Sequence, residues 1–219
     1  MKNIRAVLFD MDGLLLDSEE PNMRWCKVAA NQMGFDVDIP TLARKVCGTR
    51  RAQAIEAYAR ALPEWVDAEA FYQLKTDLML AERAVKPLQL KKGAKELLTW
   101  LKEHGIISVL ATSTTRESAE ATLRRLEIWD LLPYQVTGGD VTIGKPDPEV
   151  YVKAAALAGI PVEECLVMED AFNGLCAGRA SGAMVAMVPD MMPYTEECAP
   201  YCDIVFTDLL EAVDWFEKD

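Results

Sequence analysis

Six short apolar segments limit how this chain can fold more than any other feature of its sequence. Each contains four to six residues and has little of the polar alternation expected of a strand with one face in water. Segments of this kind suit strands covered on both faces, and helical patterns lie between them, as in a parallel sheet with crossover helices. The segments are residues 4–9, 107–111, 134–137, 165–168, 183–187 and 203–206.

A long stretch between the first and second segments departs from this alternation. Residues 18–86 contain helical stripes of apolar residues but no strand-like run. The sequence therefore predicts an α/β fold, a Rossmann-like doubly wound parallel sheet built from residues 1–16 and 87–219. Residues 17–86 are predicted to form a small helical domain inserted after the first strand.

Local signals mark where two of the core helices begin. Asp147 followed by Pro148 is typical of a helix N-terminus. Thr114 and Glu117 have the spacing of a capping box, so we expect the Thr114 hydroxyl to bond the first turn of its helix.

The acidic composition narrows the classes of partner. The 219 residues carry a formal net charge of -12, which argues against nucleic acid or an anionic membrane surface as a partner. No apolar run approaches membrane-spanning length, and Asp10 and Asp12 interrupt the N-terminal run, unlike in a signal peptide. We expect a cytoplasmic protein, a monomer or weak homodimer, whose partner is a small molecule.

The cysteines do not have the spacing of a metal site. Six are present with a single histidine, and Cys198 and Cys202 have neither a second cysteine pair nor a nearby histidine. We therefore expect free thiols in a reducing compartment.

Polar side chains follow four of the predicted strands. In an open parallel sheet, ligands bind beyond the carboxyl ends of the strands. Each of these residues taken singly fits a solvated turn, a helix cap or a surface lysine, but their placement on one edge predicts a shared site. They are Asp10 and Asp12 after the first segment, Thr112, Ser113 and Thr114 after the second, Lys145 in the loop after the third, and Glu169 and Asp170 after the fourth.

The residue types at this edge indicate phosphoryl chemistry. Carboxylates without thiolate or imidazole partners favour Mg²⁺, which also relieves their mutual repulsion. A lysine and hydroxyl groups beside that ion suit a phosphoryl group, whose charge is spread over its peripheral oxygens. One aspartate can attack phosphorus to give an aspartyl-phosphate. A second aspartate two residues on points the same way in extended backbone and can reach the leaving oxygen.

Four motifs of this sequence resemble, in order and spacing, those of the haloacid dehalogenase superfamily. The resemblance is to its phosphatase and sugar-phosphate mutase branch and extends over the whole chain, so that residues 17–86 correspond to a helical cap domain, called the cap below. The motifs are "DMDGLLLDSE" at residues 10–19, the strand end at Thr112, "GKPDPEVY" at residues 144–151 and "EDAFNG" at residues 169–174.

The resemblance implies a role for each residue at the strand ends. Asp10 would be the nucleophile, and Asp12 the acid that protonates the leaving group and then the base that activates water. Thr112, Ser113 and Lys145 would hold the phosphoryl group. The predicted Mg²⁺ ligands are Asp10, Asp12 through its backbone carbonyl, Asp170, and Glu169 as a ligand or beside the ligands.

Other members of the superfamily define the alternatives. Its dehalogenases lack an acid two residues after the nucleophile, whereas Asp12 is present here. β-Phosphoglucomutase is a closer resemblance and shares Arg51. However, this chain has Asn22, Cys47 and Thr115 where that enzyme has a histidine and two lysines, so part of the mutase's second anion clamp is missing.

The sequence therefore predicts a Mg²⁺-dependent phosphatase that hydrolyses a small phosphomonoester, a sugar phosphate or similar ester, through an aspartyl-phosphate. A β-phosphoglucomutase-type mutase is the first alternative, and a non-catalytic protein that binds a phosphorylated ligand is the second. In the cap, "GTRR" at residues 48–51 interrupts the helical patterns with two cations. We expect Arg50, Arg51 and Arg116 to contact the substrate; for the cap loop a solvated turn is the alternative.

Overall fold

The computed structural model describes residues 3–218 and is built around a six-stranded, fully parallel sheet. The strand order is β3-β2-β1-β4-β5-β6, so that β1 lies at the centre and pairs with β2 and β4. All six predicted strands are confirmed. They are β1 Ala6–Phe9, β2 Ile107–Ala111, β3 Tyr134–Val136, β4 Cys165–Glu169, β5 Met184–Met187 and β6 Ile204–Val205.

The helices of residues 3–218 fall into the two groups that the sequence predicts. Four form the insert after β1: α1 Glu19–Gln32, α2 Ile39–Val46, α3 Arg51–Ala61 and α4 Ala68–Val85. The others belong to the core: α5 Ala94–Glu103, which leads into β2, and then α6 Arg116–Arg125, α7 Glu149–Ala158, α8 Phe172–Ser181 and α9 Leu209–Glu217. None of the helices in this part of the chain is both long and apolar enough to span a membrane.

Each face of the sheet is covered by helices, which explains the unbroken apolar character of the strands. Along β1, Val7 and Phe9 belong to one hydrophobic cluster, which includes residues of α5 and α9. Ala6 and Leu8 belong to a second cluster on the other face, which includes residues of α7 and α8. Because the side chains of a strand alternate between faces, both sets must be apolar. The doubly wound α/β fold is thus confirmed.

The cap has a hydrophobic cluster of its own. Met23, Cys26, Tyr58 and Phe71 are buried in it, and Ala171 is the residue that the core contributes. The Tyr58 and Phe71 rings meet nearly edge to face, with centroids 5.0 Å apart. An inserted domain needs such a separate cluster, and the boundaries at residues 16/17 and 86/87 stay a prediction.

The two predicted helix starts have different outcomes in the structure. The Asp147 carboxylate accepts the Glu149 N–H at 2.9 Å, and α7 begins at Glu149, close to the predicted position. The predicted capping box at Thr114 is wrong. Helix α6 begins at Arg116 with Thr115 as its N-cap residue, and the Thr115 side chain forms no capping hydrogen bond. The Thr114 hydroxyl donates instead to Asp12, because the chain turns it towards the end of β1.

Replacing Phe71 by alanine should destabilise the cap selectively. Phe71 is fully buried, and removing a buried phenylalanine ring costs about 3–5 kcal/mol. We expect hydrogen exchange to increase across residues 17–86 while the sheet stays protected. Trp65→Ala, at a side chain that is 65% exposed, is the control. Equal loss of protection in cap and sheet would contradict a separately packed cap.

Candidate active site

The carboxyl edge of the sheet gathers the residues that the sequence predicts to act together. Asp10 follows β1, Thr112 follows β2, and Glu169 ends β4 with Asp170 next to it, while Lys145 reaches the same place from the loop after β3. All five are at most 3% exposed. One carboxylate oxygen from each of Asp10, Glu169 and Asp170 lies within 4.8 Å of the others. The predicted convergence therefore exists in the fold.

Lys145 is the buried cation of this cluster. Its Nζ donates to Asp10 Oδ1 and, at 2.6 Å, to Glu169 Oε1. Burial opposes the positive charge, but the two carboxylates outweigh burial and raise the pKa of Lys145 above its ordinary value. The Tyr151 hydroxyl donates to Glu169 Oε1, and the Tyr151 ring lies 5.1 Å from Nζ. Sequence analysis missed Tyr151, although it ends the "GKPDPEVY" motif.

Asp12 is oriented by two hydroxyl groups. Ser18 donates to Asp12 Oδ1 and Thr114 donates to Asp12 Oδ2, both at 2.8 Å. Ser18 also accepts the Gly13 N–H at 3.2 Å, so the loop after β1 is fixed from within. Sequence analysis assigned no such role to either hydroxyl. The only local signal was that Ser18 falls inside the first motif.

The carboxylates of this cluster outnumber the cations that face them. A metal ion fits here if its positive charge and its preferred ligands match what the cluster offers. Lys145 faces three carboxylates, and Asp170 Oδ1 is buried without a hydrogen-bond partner. Burial, reinforced by Glu169 and Asp10, raises the pKa of Asp170 well above its ordinary value. Burial also raises the pKa of Asp10 to about 8, although Lys145 opposes this. The oxygen donors and the excess negative charge fit Mg²⁺.

Gly13 is required for the close packing of this cluster. Its φ is +83°, and a Cβ at this position would lie 2.3 Å from Asp170 Oδ2. Any other residue would be strained and would displace the carboxylate. Glycine therefore allows the first loop to approach Asp170.

A cavity of about 640 Å³ lies between the cap and the carboxyl edge of the sheet. Its volume falls in the range of sites for small molecules. The core side includes Asp10, Asp12 and residues 112–115. The cap side includes Asn22, Arg50, Arg51, Tyr58, Tyr72, Lys75 and Arg83.

Comparison with known proteins places the chain in a family. The profile of the haloacid dehalogenase-like hydrolases matches residues 4–182. The chain belongs to this family. It is 30% identical over 181 residues to the phosphorylated carbohydrates phosphatase of Thermotoga maritima, covering 82% of each chain. It is 28% identical over 195 residues to the β-phosphoglucomutase of Bacillus subtilis, covering 87% of this chain and 85% of the relative.

A solved structure gives the same result for the fold. A hydrolase from Pseudomonas syringae superposes with a TM-score of 0.82 at 25% identity, covering 98% of each chain. The resemblance of the motifs to the phosphatase and mutase branch is confirmed, as is the expectation of a phosphoric monoester hydrolase.

This haloacid dehalogenase-like hydrolase also contains a buried acid that the sequence analysis did not single out. Glu19 accepts hydrogen bonds from Cys47 Sγ at 3.1 Å and from Asn22 Nδ2 at 3.3 Å. Asn22 Oδ1 in turn accepts from Lys75 Nζ at 2.9 Å. Burial, together with the charge of Asp12, raises the pKa of Glu19. Two positions that differ from the mutase pattern, 22 and 47, thus lie in one network beside the site.

The other predicted contacts of the hydrolase have partners within the protein. The Ser113 hydroxyl donates to the Gly48 carbonyl at 2.9 Å. Arg51 lines the cavity but pairs with Glu69. Arg116 donates to Asp140 and to the Gln135 carbonyl, both at 3.0 Å, and does not line the cavity described above. Substrate contact by Arg50, Arg51 or Arg116 stays a prediction.

Thr114→Val should lower turnover because it removes one of the two groups that orient Asp12. General acid–base catalysis contributes about 10²–10⁴-fold, so partial misorientation should cost about 10-fold in kcat with little change in KM. Steady-state kinetics on an aryl phosphate measures this. Thr99→Val, at an exposed hydroxyl that bonds Lys95 O, should leave kcat unchanged. An unchanged kcat for Thr114→Val would show that the Thr114 hydroxyl does not contribute to turnover.

Mg²⁺ should bind more tightly as pH rises. A protonated carboxyl is a poor ligand, and burial raises the pKa of Asp10 to about 8 in the metal-free protein. Binding must therefore release protons below that pKa. We expect affinity to increase between about pH 6 and pH 8, as measured by calorimetry in buffers of different ionisation enthalpy. In Asp10→Asn the proton release should shrink; affinity independent of pH would contradict the assignment.

Proposed function

We propose that this hydrolase is a Mg²⁺-dependent phosphatase that cleaves a small phosphomonoester, a sugar phosphate, through an aspartyl-phosphate on Asp10. One observation carries the proposal. The buried Asp10 contacts Lys145 and lies close enough to Glu169 and Asp170 for the three carboxylates to share one metal ion. Asp10 also lines the cavity, as Asp12 does.

In the first half-reaction an Asp10 oxygen attacks phosphorus. The bond from that oxygen to phosphorus forms as the bond from phosphorus to the ester oxygen breaks, and Asp12 donates its proton to the leaving oxygen. Lys145 Nζ already contacts Asp10, so its charge lies next to the phosphoryl oxygens. Thr112 and Ser113 border the same part of the cavity.

In the second half-reaction Asp12 removes a proton from water, which attacks the aspartyl-phosphate. The bond between Asp10 and phosphorus breaks, inorganic phosphate leaves, and the Asp10 carboxylate is restored. Ser18 and Thr114 hold the Asp12 carboxylate in one orientation for both proton transfers. Asp10, Asp170, Glu169 and the backbone carbonyl of Asp12 are the groups that would hold Mg²⁺. The bound ion would supply positive charge against the phosphoryl oxygens.

The relatives support the substrate class. The Thermotoga maritima relative is named for the hydrolysis of phosphorylated carbohydrates, and the Bacillus subtilis relative is a sugar-phosphate mutase. Both names indicate a sugar phosphate. Hydrolysis is the better proposal here because Asn22 and Cys47, where the mutase pattern has a histidine and a lysine, are uncharged and bond Glu19. The cations on the cap side of the cavity, such as Lys75, stand at other positions.

The test is hydrolysis of an aryl phosphate and of a panel of sugar phosphates, with and without Mg²⁺. We expect Mg²⁺-dependent release of phosphate that falls to background in Asp10→Asn. Turnover no higher than that of Asp10→Asn on every ester would instead favour a protein that only binds phosphorylated ligands.

Asp12→Ala should separate catalysis from metal binding. Loss of the acid–base group should lower kcat about 10²–10⁴-fold. Mg²⁺ affinity, measured by calorimetry, should stay close to that of the unchanged protein, because the predicted ligand of residue 12 is its backbone carbonyl. A large loss of Mg²⁺ affinity would contradict that ligand assignment.

The mutase alternative has a direct product test. The protein is incubated with β-glucose 1-phosphate and a sugar bisphosphate primer, and both products are measured. We expect free phosphate. Accumulation of glucose 6-phosphate without free phosphate would establish the mutase instead.

A further inference from the structure

One segment of the cap contacts the chain just beyond the ends of β2, β3 and β4. We call residues 47–53, which end in the first turn of α3, the cap contact segment. The Gly48 carbonyl accepts from Ser113 after β2 at 2.9 Å. The Cys47 carbonyl accepts from Asn173 after β4 at 3.5 Å. The remaining contacts go to residues 138–145 after β3, called the lysine loop because it ends at Lys145.

Arg50 makes most of the contacts with the lysine loop. Its Nη1 donates to the carbonyl oxygens of Gly138 and Val141 at 3.2 and 2.9 Å, and Nη2 donates to the Thr142 carbonyl at 2.9 Å. A guanidinium group presents several donors in one plane and can bind adjacent oxygens together. Both terminal nitrogens of Arg50 are therefore bonded to main chain.

Gln53 extends this contact to Lys145 itself. Its Nε2 donates to the Lys145 carbonyl at 3.0 Å, and its Oε1 accepts the Arg50 N–H at 3.2 Å. A Cβ on Gly144 would lie 2.7 Å from Gln53 Oε1 and 3.1 Å from Arg50 Cγ. The glycine at position 144 thus allows the cap side chains to reach the backbone beside Lys145.

The lysine loop is held from the core by a different set of bonds. The Glu149 carboxylate accepts the Thr142 N–H and the Ile143 N–H, at 2.9 and 2.8 Å to Oε2. The core also binds one loop carbonyl, since Lys153 Nζ donates to the Asp140 carbonyl at 2.8 Å. The cap binds the carbonyl groups of residues 138, 141, 142 and 145. The backbone that carries Lys145 is thus held by contacts from both the core and the cap.

We propose that Arg50, with Gln53, is a positioning residue that fixes Lys145 through the main chain of the lysine loop. The position of the cap then determines how precisely Lys145 Nζ meets Asp10 and the phosphoryl group. The proposal rests on the proposed function for what Lys145 does. It differs from the expectation that Arg50 contacts the substrate, because here the guanidinium acts on protein carbonyls.

The test compares Arg50→Ala, Arg50→Lys and Gln53→Ala with Arg60→Ala. Arg60 lies on the same helix, pairs with Glu56 at 3.3 Å and is exposed. Hydrogen exchange of residues 138–145 should become faster in Arg50→Ala and less so in Arg50→Lys, whose single ammonium group cannot bridge the three carbonyls. Exchange in Arg60→Ala should match the unchanged protein.

Kinetics supply the second measurement. Misplacing a catalytic group by about 1 Å costs up to about 10²-fold, so we expect kcat on a small aryl phosphate to fall about 10–100-fold in Arg50→Ala. The inhibition constant of inorganic phosphate should rise as well, because Lys145 is the phosphoryl-binding group. Gln53→Ala should change both quantities in the same direction.

Each outcome bears on the proposal. Unchanged exchange in residues 138–145 for Arg50→Ala and Gln53→Ala would overturn it. Normal inhibition by phosphate, with loss confined to kcat/KM for sugar phosphates, would also overturn it and make Arg50 a substrate contact. If Arg50→Ala does not fold, Arg50→Lys and Gln53→Ala decide. A protein without phosphatase activity would refute the proposed function, while the exchange measurement would still test the contact.

Discussion

The site depends on a lysine ammonium group buried between carboxylates. Lys145 contacts Asp10 and Glu169 where the side chains are almost completely buried, with Asp170 close by. Buried ion pairs contribute little net stability because desolvation offsets their attraction. The desolvation cost of this cluster is larger still, because its three carboxyl groups exceed the single charge of Lys145. The pKa values of Asp10 and Asp170 are raised, so these acids hold protons more readily than usual. A divalent cation such as Mg²⁺ would take the place of those protons, so the same imbalance favours metal binding.

Sequence patterns predicted the sheet and its catalytic edge for a simple physical reason. A strand buried on both faces is apolar at nearly every position, as Ala6, Val7, Leu8 and Phe9 are, so charged residues gather where the strands end. Parallel strands all end on one side. The positions of Asp10, Thr112 and Asp170 in the chain therefore indicated their proximity before any coordinate was known.

The orienting groups could not be predicted in this way. Thr114 and Asp12 are 102 residues apart, and their hydrogen bond depends on how β1 and β2 lie side by side and on which way each side chain turns. The local pattern at Thr114 favoured a helix cap, and the tertiary contact with Asp12 replaced it. Tyr151 and Glu19 were missed for the same reason, because Tyr151 bonds Glu169 of β4 and Glu19 bonds Cys47 after α2.

The cap shows why comparing single positions with the mutase pattern gives an incomplete picture of function. Asn22 and Cys47 appear in the sequence as losses of a histidine and a lysine, yet both bond Glu19, and Asn22 joins it to Lys75. The Arg50 and Gln53 side chains of the cap also donate to carbonyl groups of the lysine loop in the core. These contacts require nothing from the distal part of a substrate. A mutase must hold a bisphosphate in two orientations, whereas hydrolysis requires only that the phosphoryl group and water be positioned. A cap that closes on the protein itself therefore suits the hydrolysis of small esters.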